Sequence, residues 1–187
     1  MEGNMEKIRC KWCNLANPLY VKYHDEEWGV PTYDDAVLFE FIILEAFQAG
    51  LSWETILNKR ENFRIAFDDF NPHMIKEYQG DKINELMNNK GIIRNRRKID
   101  AAIVNAKAFL EIQKEWGTFS EYIWHFTDGK VIYETGKASS ELSDQISKDL
   151  KKRGMKFVGT TIVYAFLQAI GVICSHDTEC FLYIERK

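Results

Sequence analysis

Proline is scarce. The 187 residues contain three, Pro18, Pro31 and Pro72, and each falls between periodic segments, so helices can run uninterrupted. Strand-like alternation is also rare, which leaves helical spacing as the recurrent pattern. The start, Met1 to Arg9, has no apolar core of the kind a signal peptide needs. No apolar run reaches the ~18 residues of a membrane span. The most apolar stretch, Ile162 to Cys174, is broken by Gln168 and Gly171 and reads as a buried helix. No membrane partner is expected, and without an export signal the expected compartment is the reducing cytoplasm. There the four cysteines read as thiols or metal ligands rather than disulfides. Excess charge is lacking too. A net charge of -3 carries no whole-chain signature of nucleic-acid binding, so any such role requires a local basic face.

What remains is ordinary globular material: 45% apolar, 13% aromatic and 28% charged residues, which excludes disorder and low complexity. A chain of this length buries roughly 70% of its unfolded surface and needs no staple. With no internal repeat and no linker, a single all-α domain over residues 1–187 is expected.

The caps divide the chain. Thr32 and Asp35 form a capping-box-like pair opening a helix that runs to about Ala49 and stops at Gly50. Ser52 opens another toward Phe67, and short helices follow Pro72 and Asp81. Arg97 to Trp116 is a long amphipathic helix with Ile99, Ile103, Ala106 and Leu110 on one face and Gly117 at its end. Ser143 to Lys152 and Thr160 to Ile170 are helical, stopped by Gly154 and Gly171, and Val131 to Tyr133 is a short strand or loop.

Four features break these patterns. Glu45 lies on the apolar stripe Leu38, Phe41, Ile42, Ala49; a carboxylate there is either salt-bridged or facing a polar pocket. Trp12, Tyr20, Tyr23, Trp28 and Trp53 crowd the first third of the chain, as core or as stacking faces for nucleobases. Cys10, Cys13 and His24 lie near one end and Cys174, His176 and Cys180 near the other. Pairs three or four residues apart suit tetrahedral zinc and would clamp the termini; otherwise they are buried thiols and surface histidines. Finally, the basic, glycine-flanked segment Lys151 to Thr161 joins two helices, as a plain corner or as a phosphate site on a helix N-terminus. Arg94 to Lys98 is a second basic cluster that could extend such a surface.

Taken together, Trp12, Pro18-Leu19-Tyr20, Tyr23-His24-Asp25, Glu27 to Pro31, Leu44-Glu45, Gln48 to Trp53, Gly91 to Arg94, Lys151 to Gly154 and Phe157 to Thr161 resemble the 3-methyladenine DNA glycosylase I family, in register over nearly the whole chain. The resemblance implies an all-α fold of the helix-hairpin-helix DNA glycosylase superfamily. Its hairpin would be Gly154 to Gly159, contacting DNA through Gly154, Lys156, Gly159, Lys151 and Lys152. It also implies structural zinc on Cys10, His24, His176 and Cys180, joining segments 10–24 and 176–180. The base pocket would comprise Glu45, Tyr23, Trp53, Tyr20 and Trp12, with Glu45 as the catalytic carboxylate.

The implied activity is excision of 3-methyladenine from alkylated double-stranded DNA by a monomer, with free 3-methyladenine as product. Two departures from the wider superfamily bear on mechanism. Ile173 to His176 holds no carboxylate where many members have an aspartate, and Thr161 stands where strand-cleaving members have a lysine. Both point to a monofunctional enzyme that leaves an abasic site. The alternative is a non-catalytic module that binds alkylated bases or DNA.

Overall fold

The computed structural model describes residues 7–184, so most of the Met1–Arg9 stretch and the last three residues lie outside the described region. Ten α-helices dominate it. Helix α1 (Pro18–Glu26) is followed by α2 (Asp35–Gln48), α3 (Trp53–Leu57), α4 (Arg60–Ala66) and α5 (Pro72–Ile75). Next come α6 (Gly80–Asn88), α7 (Arg96–Trp116), α8 (Phe119–Trp124), α9 (Glu141–Lys152) and α10 (Thr160–Ala169). Two-residue strands β1 (Ile132–Tyr133) and β2 (Ile173–Cys174) pair in parallel.

Helix α2 is the centre. Every residue from Leu38 to Phe47 is buried, and α3, α7, α8 and α10 pack around it. A helix apolar on nearly all sides suits that place. Two acids interrupt it. Glu40 is satisfied, because Arg60 Nε donates to its Oε1 at 2.6 Å and Arg64 also reaches it. Glu45 Oε2 has no partner.

The α2 cap differs from the expected one. Asp34, not Thr32, caps the helix by accepting from the Ala36 N–H at 2.8 Å. Asp35 accepts instead from the N–H groups of Phe119 and Ser120, capping α8 from 84 and 85 residues away. Thr32 is engaged elsewhere, its N–H donating to Ile170 O at 3.1 Å. The expected single helix from Ser52 is two, separated by a turn at Asn58 and Lys59, after which Arg60 reaches Glu27 and Glu40. Val131 to Tyr133 does contain a strand, whose partner β2 lies at the end of the stretch expected to be a buried helix.

Helix α7 ends at Gly117 as its spacing predicts, with Ile99, Ala106 and Leu110 buried. Its first turn carries a surprise. Lys98 is buried and donates to Phe47 O at 2.8 Å and Ala49 O at 2.6 Å, satisfying carbonyls that the end of α2 leaves open. Between α10 and β2, Gly171 takes a left-handed φ of +73°, and a Cβ there would lie 2.3 Å from backbone atoms of Val30 and Pro31. Glycine alone fits, and the 29–32 segment docks against the end of α10, with the Gly29 N–H donating to Gln168 O at 3.0 Å. No described helix is long and apolar enough to cross a membrane.

Candidate active site and metal cluster

Helix α1, which the non-periodic sequence hid, places Tyr20, Tyr23 and His24 on its buried side, with Asn17 as its cap. Trp12 packs on Tyr20 (ring centroids 5.3 Å), and Tyr23 packs on Trp53 (5.3 Å) at the start of α3. These four rings, with Trp28, wall one side of a cavity of about 310 Å³. The other side is polar: Gln48, Lys137, Gln168, Ser175 and Asp177, with Gly136 and Ala165. The aromatic half was legible in the sequence. The polar half was not, because it comes from the end of α2, the 134–140 loop, α10 and the segment after β2, brought together only by folding.

Glu45 is buried one helical turn from Gln48 and is not itself a lining residue. Burial without a partner pushes its carboxyl up to about 8. Burial first, and the Glu45 charge after it, raise the Tyr23 hydroxyl well above the ordinary tyrosine value. Trp53 Nε1 is a second buried polar atom without a partner at this place. Buried polar groups are nearly always satisfied. Glu45 and Trp53 thus stand unpartnered near an aromatic cavity, whereas Glu40 on the same helix as Glu45 is paired.

Cys10, His24, His176 and Cys180 come together, all buried, with ligand atoms within 4.8 Å of one another. Cys10 Sγ lies 3.5 Å from His176 Nδ1, and Cys180 Sγ lies 3.5 Å from His24 Nε2 and 3.6 Å from His176 Nδ1. Asp25, gripped by Arg9 through two bonds of 2.8 and 2.7 Å, meets His24 Nδ1 at 2.8 Å. The Arg9 guanidinium first, and His24 after it, hold Asp25 below the usual carboxylate range, so it accepts from Nδ1–H, while Nε2 accepts from the Cys10 N–H at 3.2 Å and faces the Cys180 sulfur. Main-chain N–H groups of Asp177 and Leu182 donate to the two sulfurs. Cys13 stands apart, its Sγ turned to Tyr20 O, and Cys174 lies in β2 outside the group.

The cluster and the cavity share walls. Trp28 meets the His176 ring edge-on at 4.8 Å and Trp12 at the same distance, while Trp12 lies 5.2 Å from His24.

Helices α9 and α10 pack on each other. Lys151 and Lys152 are exposed at the end of α9. The turn passes Gly154 (φ +92°) and Phe157 (φ +54°), and Gly159 caps α10. Not every N–H in the turn is open to a ligand. Those of Gly154 and Met155 donate to Lys151 O and Leu150 O, and that of Lys156 donates to Asn105 Oδ1 at 2.8 Å. Among the described residues no protein acceptor lies on the N–H groups of Phe157, Val158 and Gly159. The Arg94–Lys98 cluster divides as well. Lys98 is buried under α2, Arg96 pairs with Asp100 at 2.9 Å, and Arg94 and Arg97 stay exposed.

Comparison with known proteins agrees with this geometry. The methyladenine glycosylase family model matches residues 12–183. DNA-3-methyladenine glycosylase 1 of Escherichia coli (strain K12) is 45% identical over 185 residues, covering 96% of this chain and 98% of the relative. A crystal structure of 3-methyladenine DNA glycosylase I matches with a TM-score of 0.90 at 46% identity, covering 95% of this chain and 100% of the other. A single-residue variant of 3-methyladenine DNA glycosylase I, in complex with 3-methyladenine, also reaches 0.90 at 34% identity, with 96% and 99% covered. Similarity of this extent in sequence and fold settles the affiliation: the chain belongs to the methyladenine glycosylase family.

Proposed function

We propose that this protein is a monofunctional DNA glycosylase, a monomer of one domain in the cytoplasm, that flips 3-methyladenine out of alkylated duplex DNA and hydrolyses its N-glycosyl bond. The observation that carries this reading is the unpartnered, buried Glu45 beside an aromatic-walled cavity of nucleobase scale. Relatives named for this activity, one of them in complex with 3-methyladenine, support it.

The residues divide the work. A flipped base costs a few kcal/mol to extrude, less when damaged. Stacking on Trp12, Tyr20, Tyr23 and Trp53 returns roughly 1–3 kcal/mol per ring, and electron-rich faces favour the cationic methylated purine. Glu45 accepts from the exocyclic amine and, once ionised, complements the positive charge. The charged base is already a good leaving group and departs without protonation, so water suffices and no strong general base is required. Cys10, His24, His176 and Cys180 would hold zinc. Zinc bonds of ~2.3 Å to sulfur and ~2.05 Å to nitrogen at a tetrahedral angle set the two atoms about 3.6 Å apart, close to the separations above. When bound, the metal supplies structure: four protein ligands leave no place for water. Helices α9 and α10 form the helix-hairpin-helix phosphate grip, through the open N–H groups of Phe157 to Gly159 and the side chains of Lys151, Lys152 and Lys156.

Incubation with methylated duplex DNA, followed by chromatography of the released bases, tests the activity. Release of 3-methyladenine with an intact abasic strand is the expected result; tight binding without release would favour the non-catalytic module. Borohydride should trap no protein–DNA adduct, since Thr161 follows the hairpin and the one lysine lining the cavity, Lys137, is held by Glu134 at 2.5 Å. A robust adduct would overturn the monofunctional assignment. Lys151→Gln should weaken binding to all duplexes alike and lower the salt slope by about one unit.

A further inference from the structure

We infer that the groove between α7 and the turn before α10 seats a second stretch of DNA backbone, with a phosphate between Arg97 and Lys156 and the adjoining deoxyribose on Ala101, Val104 and Phe157. The inference rests on the functional reading above and extends its contact surface beyond the hairpin itself.

The groove encloses about 520 Å³ and is lined by Arg97, Asp100, Ala101, Val104, Lys156 and Phe157. Its lining pairs two cations with three apolar side chains, the two chemistries a nucleic-acid backbone presents as phosphate and sugar. Arg97 and Lys156 are exposed, and neither has an ion-pair partner among the described residues. The one acid, Asp100, is already engaged by Arg96 through contacts of 2.9 and 3.0 Å, so the free charge in the groove is positive. Val104 is 37% exposed, while Ala101 and Ala108, one turn to either side, are buried.

The groove is also built rigidly. Buried Asn105 clamps the turn in both directions: its Nδ2 donates to Lys156 O at 3.0 Å and its Oδ1 accepts from Lys156 N–H at 2.8 Å. Phe157 holds a left-handed φ of +54°, an uncommon and costly conformation for a bulky residue, and its ring lines the groove. Position completes the argument. Lys98, next in sequence to Arg97, ties α7 to the end of α2, where Gln48 lines the base cavity. Through α7 the groove is thus joined to the end of α2, and it shares Phe157 with the open N–H groups of the hairpin.

Undamaged duplex DNA and salt-dependent fluorescence anisotropy test this, using wild type, Arg97→Gln, Val104→Glu and, as comparator, Lys151→Gln. Binding of free 3-methyladenine monitors folding, since none of these residues lines the base cavity. Arg97→Gln should lower the salt slope by about one unit and weaken binding several-fold. Val104→Glu, which places a carboxylate on the sugar path, should weaken it at least as much while free-base binding persists. Wild-type affinity and slope in both groove variants, with the slope reduced only in Lys151→Gln, would overturn the groove and spare the hairpin. A wild-type protein without duplex affinity would overturn the functional reading itself.

Discussion

Glu45→Gln is expected to cut excision of 3-methyladenine from DNA by about one to two decades while leaving the fold intact. Glutamine keeps the size and one acceptor oxygen but removes the charge, and a charge-assisted bond is worth roughly 1.5–3 kcal/mol. The pH dependence makes the test sharper. With its carboxyl at about 8, Glu45 is mostly protonated at neutral pH in the free protein. A bound cationic base favours the ionised form, so wild-type binding of the charged lesion should strengthen as pH rises toward 8. The variant should show no such rise. Stability moves the other way. A carboxyl raised from the ordinary 4.5 to about 8 contributes stability that is full below 4.5 and is lost as pH rises through 8. Glu45→Gln removes that loss, so thermal melts at pH 8 should find the variant at least as stable as wild type. A variant that unfolds, with normal base affinity in its folded fraction, would make Glu45 a structural group and remove the centre of the proposed pocket.

Cys10→Ala should abolish metal binding and cost more than about 4 kcal/mol, the range reserved for losses such as a structural metal. For a chain of this size that is a fall in Tm of roughly 8–16 °C. The loss should reach function as well, because Trp28 and Trp12 rest on the His176 and His24 rings and wall the base cavity. Cys13→Ala is the control. Its thiol is buried but outside the four-residue group, so it should keep about one zinc per chain by elemental analysis and lose only a modest packing contribution. Equal metal loss from both variants would favour a different ligand set.

What the sequence disclosed depended on how local the cause was. Helices α2, α7, α9 and α10 were legible because their glycine stops and apolar spacing lie within or beside each segment. Glu45 stood out because it broke such a spacing. Helix α1 escaped notice because its buried face carries Tyr20, Tyr23 and His24, pocket and cluster residues rather than an aliphatic stripe. Asp35, Glu40 and Lys98 were misread or passed over for one reason: each is explained by a partner 20 or more residues away. Strand β2 shares that cause, since its parallel pairing with β1 exists only in the folded chain. So does the polar half of the cavity. Choosing Cys10 and Cys180 over Cys13 and Cys174 required the family resemblance, because spacing suits both sets.

Gly171 has a consequence for how this protein can be recombined with its relatives. Its missing side chain is occupied by the backbone of Val30 and Pro31, and the same short segment leads back to Trp28 and His24. A chimera that takes residues 28–32 from one parent and 168–172 from another joins two surfaces shaped separately to a tolerance smaller than a methyl group. Such hybrids should lose base binding even when every pocket and cluster residue is retained, and exchanging the two segments as a matched pair should restore it.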